Sequence, residues 1–233
     1  AIKAVEEKVY ALDKVSEPPA KLSLDAEVAK AEEMCDEFLN TEGCVFLTNC
    51  TAGFEIASKY ANLQPGDEVI VPAYTYISTA MAVVAAGAMP IIAEVDDTLT
   101  ISPDDIEKKI SKHTKAIMPV HIQGFPCNMD AIMDIARKHN LFVVEDACQA
   151  DGGSFGNKRL GTIGDAGALS FNYYKIITTG EGGALFTDNR ELFERALIYH
   201  DSSAVAYFGD QLADVETDVF CGTEYRTNGI SAA

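Results

Sequence analysis

The sequence predicts a three-layer α/β/α large domain with a mostly parallel central sheet. Short apolar runs alternate along the chain with segments of helical periodicity. Several of these runs are continuous in valine, isoleucine, leucine and methionine, a pattern typical of strands that helices cover on both faces. The chain has 233 residues, 48% of them hydrophobic, which is enough for one large domain with a buried core.

Seven strands are predicted from the apolar runs. They are Cys44–Leu47, Glu68–Val71, Pro90–Val95, Ala116–His121, Leu141–Glu145, Ala166–Phe171 and Ala184–Thr187. In an open sheet of this kind, ligands bind in loops at the carboxyl ends of the strands. We therefore examine the residues that follow each strand for binding and catalytic chemistry.

The helices between the strands have recognisable starts. Residues 25–40 place apolar side chains at helical spacing on an acidic background. Ser102 caps a helix whose first turn contains a proline and two aspartates. Asn128 precedes another helix, which ends in a basic last turn before Asn140.

The composition disfavours several classes of partner. The formal charge is −18, from 36 acidic and 18 basic residues, so we expect neither nucleic-acid binding nor attachment to an anionic membrane. The six cysteines form no C-x-x-C pair and no histidine lies at zinc-ligand spacing, so no metal site is predicted. With no apolar run of 18 residues and no signal-peptide pattern at the start, we expect a cytoplasmic protein.

Two charged residues lie in apolar surroundings. Lys175 follows an aromatic stretch and precedes a glycine cluster, and it is interpreted either as a surface lysine or as an amine held out of water to form a Schiff base. Asp146 follows an apolar strand, where a carboxylate needs a cationic partner or several donors. A protonated pyridine nitrogen is one such partner, and a helix N-cap is the alternative. Gln149, one turn later, donates either to a ring oxygen or to solvent.

A strand-to-helix junction at Thr48–Gly53 is a candidate phosphate site, because helix N-termini present free N–H groups and Thr51 adds a hydroxyl. An ordinary N-cap is the alternative. Two tyrosines, Tyr74 and Tyr76, follow the second strand, and one of them either lies on the face of a planar cofactor or packs in the core. His121 is interpreted as a core histidine. The chain has no G-x-G-x-x-G motif at a strand-to-helix turn, no P-loop and no G-x-S-x-G.

Taken in order, these segments resemble the DegT/DnrJ/EryC1/StrS family of sugar aminotransferases, which are pyridoxal-phosphate (PLP) enzymes of fold type I. The resemblance covers roughly residues 25–233. It rests on Asn49–Ala52, Gly66–Pro72, Thr75 and Tyr76, His121 and Gly124, Glu145–Gln149, Gly164 and Asp165, Ser170 and Phe171, Lys175, and Gly180–Gly183.

The resemblance implies roles for individual residues. Lys175 would carry the internal aldimine, and Asp146 would pair with the pyridinium nitrogen. The further implied contacts are Cys50, Thr51 and Ser170 to the phosphate, Tyr76 to the ring face and Gln149 to the ring hydroxyl. Glu224 stands where the family often has an asparagine that reaches the neighbouring subunit's cofactor, so this contact is not carried over.

The resemblance implies transfer of an amino group from glutamate or glutamine to a keto-sugar or sugar-like ketone, through a pyridoxamine intermediate and in a homodimer. The acceptor is left open among nucleotide-linked keto-sugars, keto-inositols and eight-carbon keto-aldonic acids. Two alternatives are another fold type I enzyme, such as a lyase or desulfurase, and a catalytically silent PLP-binding regulatory relative. Incubation with glutamate distinguishes an aminotransferase from the first of these.

By the same resemblance, we expect three parts in the chain. Residues 1–24 form an N-terminal arm, residues 25–220 form the PLP-binding large domain, and residues 221–233 begin the segment that leads to a small C-terminal domain. That small domain is expected to be absent from this chain.

Overall fold

The computed structural model describes residues 24–201, 217, 220 and 222–232. The strands in this part of the chain are β1 (Gly43–Leu47), β2 (Glu68–Pro72), β3 (Met89–Ala93), β4 (Thr114–Ile117), β5 (Phe142–Asp146), β6 (Ser154–Phe155), β7 (Lys158–Arg159), β8 (Ala166–Ser170) and β9 (Gly183–Thr187). The helices are α1 (Leu24–Leu39), α2 (Cys50–Tyr60), α3 (Ser78–Ala85), α4 (Pro103–Lys109), α5 (Met129–His139), α6 (Arg190–His200) and α7 (Gly229–Ala232).

All seven predicted strands form one sheet, in the order β1-β9-β8-β5-β4-β2-β3. The pairs from β8 through β5, β4 and β2 to β3 are parallel, whereas β9 runs antiparallel to both of its neighbours. The strands β6 and β7 form a separate hairpin. The prediction of a mostly parallel sheet is therefore confirmed.

Helices cover the sheet on both faces. On one face, α2, α3 and α6 pack on alternate strand residues, such as Val69 and Val144. On the other face, α4 and α5 pack on the intervening residues, such as Ile70 and Val143, and α1 packs beside them on β1, β8 and β9. Because side chains alternate along a strand, each central strand is apolar on both faces, which explains its continuous apolar run.

The helix starts predicted from Ser102 and Asn128 are confirmed. The Ser102 side chain accepts a hydrogen bond from Asp105 N–H, and Asn128 accepts one from Ala131 N–H. The second of these helices ends at Asn140, which adopts the left-handed conformation at φ 53°.

The strand predicted at residues 116–121 is shorter in the structure. It pairs with β2 only as far as Ile117, and residue 119 is a proline, which has no N–H to donate to a neighbouring strand. One isolated bridge between Val120 and Asp146 continues the contact with β5. The chain then turns through a short 3-10 segment, Ile122–Gly124.

No helix in the described ranges combines the length and the apolar character that a membrane span requires.

A half-buried glutamate joins α1 to the sheet and makes stability dependent on pH. Glu32 Oε1 accepts a hydrogen bond of 2.8 Å from Phe46 N–H. Burial raises the pKa of Glu32 to about 7, repulsion from Asp36 acts in the same direction, and the Phe46 N–H opposes both. The native state therefore holds a proton more tightly than the unfolded chain does. The stability that this proton contributes is complete below about pH 4.5 and is lost as pH rises through about 7.

Glu32→Gln is expected to remove this loss, because the amide keeps an oxygen for Phe46 N–H and carries no charge. We expect the free energy of unfolding above pH 7 to increase by about 1–3 kcal/mol. Denaturant unfolding at several pH values measures the effect. Glu33→Gln, at the exposed neighbouring position, is the control. Parallel pH curves for the wild type and Glu32→Gln would contradict the assignment.

Candidate active site

Several predicted residues come together at one edge of the sheet. The parallel strands β1, β5 and β8 end there, and the antiparallel strand β9 begins there, since Ser170 pairs with Gly183 and Leu47 pairs with the same glycine. Asp146 lies opposite Ala168 in the neighbouring strand. This edge is the carboxyl edge, where the sequence predicts ligand binding.

Asp146 is buried, and its carboxylate is held by two neutral donors. Thr79 Oγ1 donates to Oδ2 at 2.8 Å, and Cys148 N–H donates to Oδ1 at 3.1 Å. A carboxylate has about four lone-pair positions, so these two bonds leave acceptor capacity for a further donor. The side chain lies on the face of the sheet that α2 and α3 cover.

Thr79 is a site residue that the sequence analysis missed. It is fully buried in α3, whose sequence STAMAVVA is otherwise almost entirely apolar. A buried hydroxyl needs a hydrogen-bond partner, so a threonine inside an apolar helix is the signal from which a polar contact is predictable. Thr75 Oγ1 lies 2.8 Å from Thr79 Oγ1 and extends the contact toward the surface.

The Cys50 thiol is influenced by four other residues, namely Cys148, Ser170, Lys175 and Asp146. Hydrogen bonding to Cys148 lowers the pKa of Cys50, and a hydrogen bond to Ser170 and the positive charge of Lys175 act in the same direction. Burial and the negative charge of Asp146 oppose them. The thiol of Cys50, the first residue of α2, is thus within electrostatic range of the Asp146 carboxylate, the Lys175 amine and the Ser170 hydroxyl.

The N-terminus of α2 is open to the site. The Asn49 side chain accepts a hydrogen bond from Ala52 N–H, whereas the first N–H groups of any helix, here including those of Cys50 and Thr51, have no carbonyl within the helix to bind. The β9 backbone lies very close to this turn, since a Cβ on Gly183 would be 2.3 Å from Cys50 N. Glycine is therefore required at this contact.

Lys175 lies in the loop between β8 and β9. The loop is closed by hydrogen bonds from Phe171 N–H to the Gly182 carbonyl and from Thr179 N–H to the Phe171 carbonyl, both 2.9 Å. The Lys175 side chain is half-buried, whereas Tyr174, the residue before it, is 88% exposed. Half-burial fits both of its interpretations, a surface lysine whose stem lies along apolar surface and an amine held out of water, so the role of Lys175 stays a prediction.

Tyr76 and Gln149 lie in the loops that follow β2 and β5. Tyr76 is 66% exposed, so its ring is not part of the core. Gln149 Oε1 accepts a 3.0 Å hydrogen bond from the N–H of Gln123, a residue in the left-handed conformation at φ 51°. Gln123 Nε2 in turn donates to the Tyr74 hydroxyl at 3.0 Å. With its oxygen engaged, the Gln149 amide group is oriented to use its NH₂ as a donor elsewhere.

His121 forms a buried pair with Glu145, and its interpretation as a core histidine is confirmed. Its Nε2 lies 2.8 Å from Glu145 Oε2, and its Nδ1 accepts a hydrogen bond from Cys127 N–H. Glu145 also accepts hydrogen bonds from the N–H groups of Gly161, Ile163 and Gly164. It therefore anchors the loop before β8, on the face of the sheet opposite Asp146.

Glu224 lies outside this cluster. Its side chain is 58% exposed, and Oε1 is 3.9 Å from Arg226 Nε. The described structure contains no second subunit, so the departure at this position stays a prediction.

The sequence and the fold both match known aminotransferases. The model of the DegT/DnrJ/EryC1/StrS aminotransferase family matches residues 5–233. GDP-perosamine synthase from Escherichia coli O157:H7 is 38% identical over 88% of this chain and 55% of its own length. The chain spans about half the length of the curated relatives it matches.

Two solved structures show the same fold. An aminotransferase from Psychrobacter cryohalolentis aligns with a TM-score of 0.80 and 34% identity, over 88% of this chain and 54% of that one. The PLP form of the putative sugar aminotransferase Spr1654 from Streptococcus pneumoniae aligns with a TM-score of 0.78 and 25% identity, over 88% of this chain and 57% of that one. On the family match and these similarities, the chain belongs to the DegT/DnrJ/EryC1/StrS aminotransferase family.

Proposed function

We propose that this protein is a PLP-dependent aminotransferase that moves an amino group from glutamate or glutamine to the ketone of a sugar-like acceptor. The observation that carries the proposal is the cluster at the carboxyl edge of the sheet. There a buried carboxylate with spare acceptor capacity, Asp146, acts on the thiol of Cys50 at the start of α2, and the amine of Lys175 and the hydroxyl of Ser170 act on the same thiol.

The residues of this cluster fit the cofactor. Asp146 is an acidic acceptor for a protonated ring nitrogen. At the other end, free N–H groups at the start of α2, together with the hydroxyls of Thr51 and Ser170, are donors that suit a phosphate. Tyr76 offers an exposed aromatic ring. Gln149 offers an oriented amide donor for a ring hydroxyl.

When bound, PLP supplies a ring that accepts the electrons left behind as a substrate's α-proton departs. In this proposal the Asp146 carboxylate binds the ring nitrogen and keeps it protonated. The Lys175 amine moves a proton at the α-carbon of the amino donor, a role that typically contributes about 10²–10⁴-fold in rate. The Ser170 hydroxyl and the first turn of α2 bind the phosphate and hold the orientation of the ring.

We extend the proposal to the acceptor and to the assembly. A nucleotide-linked keto-sugar is the acceptor class favoured by the similarity to GDP-perosamine synthase. A homodimer is supported by exposed apolar side chains beside Lys175, namely Tyr174 and Ile176, at 88% and 83% exposure. Residues 25–220 would form the cofactor-binding domain.

The proposal is tested by the reaction of the full-length protein with its amino donor. The PLP-loaded protein incubated with glutamate should yield 2-oxoglutarate and change the absorption spectrum of the cofactor. The same spectral change with glutamine, together with release of 2-oxoglutaramate, would identify glutamine as the donor. Addition of a panel of keto-sugar nucleotides, followed by mass spectrometry, should reveal an aminated product. If the donor were converted to other products and no keto acid appeared, the protein would instead be a lyase or desulfurase. If the protein bound the cofactor but did not react, it would be a catalytically silent relative.

A further inference from the structure

Two threonines form a chain of hydroxyl groups that ends on Asp146. Thr79 has 0% of its surface exposed, and its Oγ1 lies 2.8 Å from Asp146 Oδ2. Thr75, which is half-buried in the loop before α3, has its Oγ1 2.8 Å from Thr79 Oγ1. The chain thus connects the buried carboxylate to the exposed end of α3.

The direction of the hydrogen bonds follows from the number of protons. An ionised carboxylate only accepts, so the single hydroxyl proton of Thr79 is donated to Asp146. The short contact between the two hydroxyls then requires Thr75 as the donor. The other contact of the Thr75 hydroxyl, with the Tyr76 carbonyl, is longer at 3.3 Å. Aligned donors of this kind polarise and strengthen one another.

We propose that Thr79, supported by Thr75, is a positioning residue that holds the Asp146 carboxylate directed at the ring nitrogen of the cofactor. This inference rests on the proposed function. A hydrogen bond to the charged form of an acid favours that form, and a fixed carboxylate presents its free lone pairs in one direction. Without Thr79, the donors left to the carboxylate would both come from Cys148, through its N–H and its weakly donating thiol.

Other titratable groups also face Asp146, and the test must hold them constant. The thiols of Cys50 and Cys148 do so, with Lys175 beside the first, and the Cys127 thiol, which packs on the opposite face of the sheet, interacts with the same charge. Burial raises the pKa of Cys127 to about 12 and raises that of Cys148 well above its usual range, so both thiols are uncharged near neutrality. Substitution in α3 leaves all four groups in place.

The experiment compares Thr79→Val, Thr79→Ser and Ser78→Ala. Valine has the shape of threonine without the hydroxyl, serine restores the hydroxyl, and Ser78→Ala removes a neighbouring hydroxyl that is not one of the two donors to Asp146. The dissociation constant for PLP is measured by absorbance titration across a range of pH, together with the melting temperature of the cofactor-free protein. Asp146→Asn is included as a reference.

Thr79→Val is expected to raise the PLP dissociation constant about tenfold near neutral pH. Its loss of affinity at low pH should begin at a higher pH than in the wild type, because an acid that loses a donor to its charged form protonates more readily. Thr79→Ser should restore both properties, and Ser78→Ala should match the wild type. Thr75→Val, at a less buried position, should shift the pH profile in the same direction by a smaller amount.

Each of the following results would overturn the inference. One is a wild-type pH profile for Thr79→Val, and another is equal loss of affinity and melting temperature in the valine and serine variants. If Thr79→Val does not fold, an unshifted pH profile in Thr75→Val is the third. If the PLP dissociation constant changed in Asp146→Asn but not in Thr79→Val, this inference would be overturned and the proposed function would stand. A wild-type protein that takes up no PLP would overturn both.

Discussion

Lys175→Ala is expected to abolish the visible absorption band that PLP forms with the wild-type protein and to lower amino transfer by at least 10²–10⁴-fold. The half-buried amine lies near the Cys50 thiol and the start of α2, where the cofactor is proposed to bind. Its removal eliminates both the nucleophile that attaches the cofactor and the base that moves the α-proton. Absorbance spectroscopy and a 2-oxoglutarate assay measure the two losses separately.

Lys115→Ala is the matched control, because Lys115 is an exposed lysine on β4. It should leave the band and the transfer rate unchanged. The decisive observation is chemical reduction with borohydride. If Lys175→Ala still formed an unchanged, borohydride-reducible band, another amine would be the attachment point and the assignment of Lys175 would be wrong.

Asp146→Asn is expected to cause the second large effect. The amide preserves the size of the side chain and an oxygen for one of the two present donors, so the fold should persist. It has no negative charge to pair with a protonated ring nitrogen. Removing one partner of a buried, hydrogen-bonded charge pair costs about 2–5 kcal/mol, which corresponds to a loss of roughly 30-fold to several thousandfold in the transfer reaction. Steady-state kinetics and PLP titration measure this loss.

The adjacent acid provides the contrast for that experiment. Glu145 accepts three backbone N–H groups and pairs with His121 on the opposite face of the sheet. Glu145→Gln places an NH₂ group against those donors, and we expect it to lower the free energy of unfolding by about 2–5 kcal/mol. Denaturant unfolding should thus identify Glu145 as structural. If Asp146→Asn lowered stability as much as Glu145→Gln and left kinetics unchanged, Asp146 would be structural too.

The strands and the parallel character of the sheet were predictable because both depend on local pattern. The run Val69–Val71 in β2 is buried on both faces and apolar at every position, and this is visible in the sequence. The order of the strands and the reversal of β9 were not predictable, because pairing between distant segments leaves no mark at either one. The early end of β4 depends on Pro119 and on where β2 stops, which is again a non-local fact.

In the candidate site, charged residues were easier to predict from the sequence than residues that act through a hydroxyl group. Asp146 and Lys175 are visible in the sequence because a charge in an apolar run needs an explanation. Thr79 was missed because a single hydroxyl in an apolar helix does not show which group it binds, and its partner is 67 residues away. Gln123 was missed because its contact with Gln149 is made by the backbone, in a left-handed conformation that its sequence does not announce.

The antiparallel direction of β9 has a consequence for the mobility of the amine. A parallel successor to β8 would require a crossover that carries the chain to the far edge of the sheet. Here the chain turns back from β8 directly into the neighbouring strand β9. The loop that carries Lys175 is therefore held at both ends, next to the position proposed for the cofactor ring. The range of motion of this loop is therefore small compared with that of a long lid. The reactive nitrogen thereby keeps a high local concentration at its target, without a domain closure to bring it there.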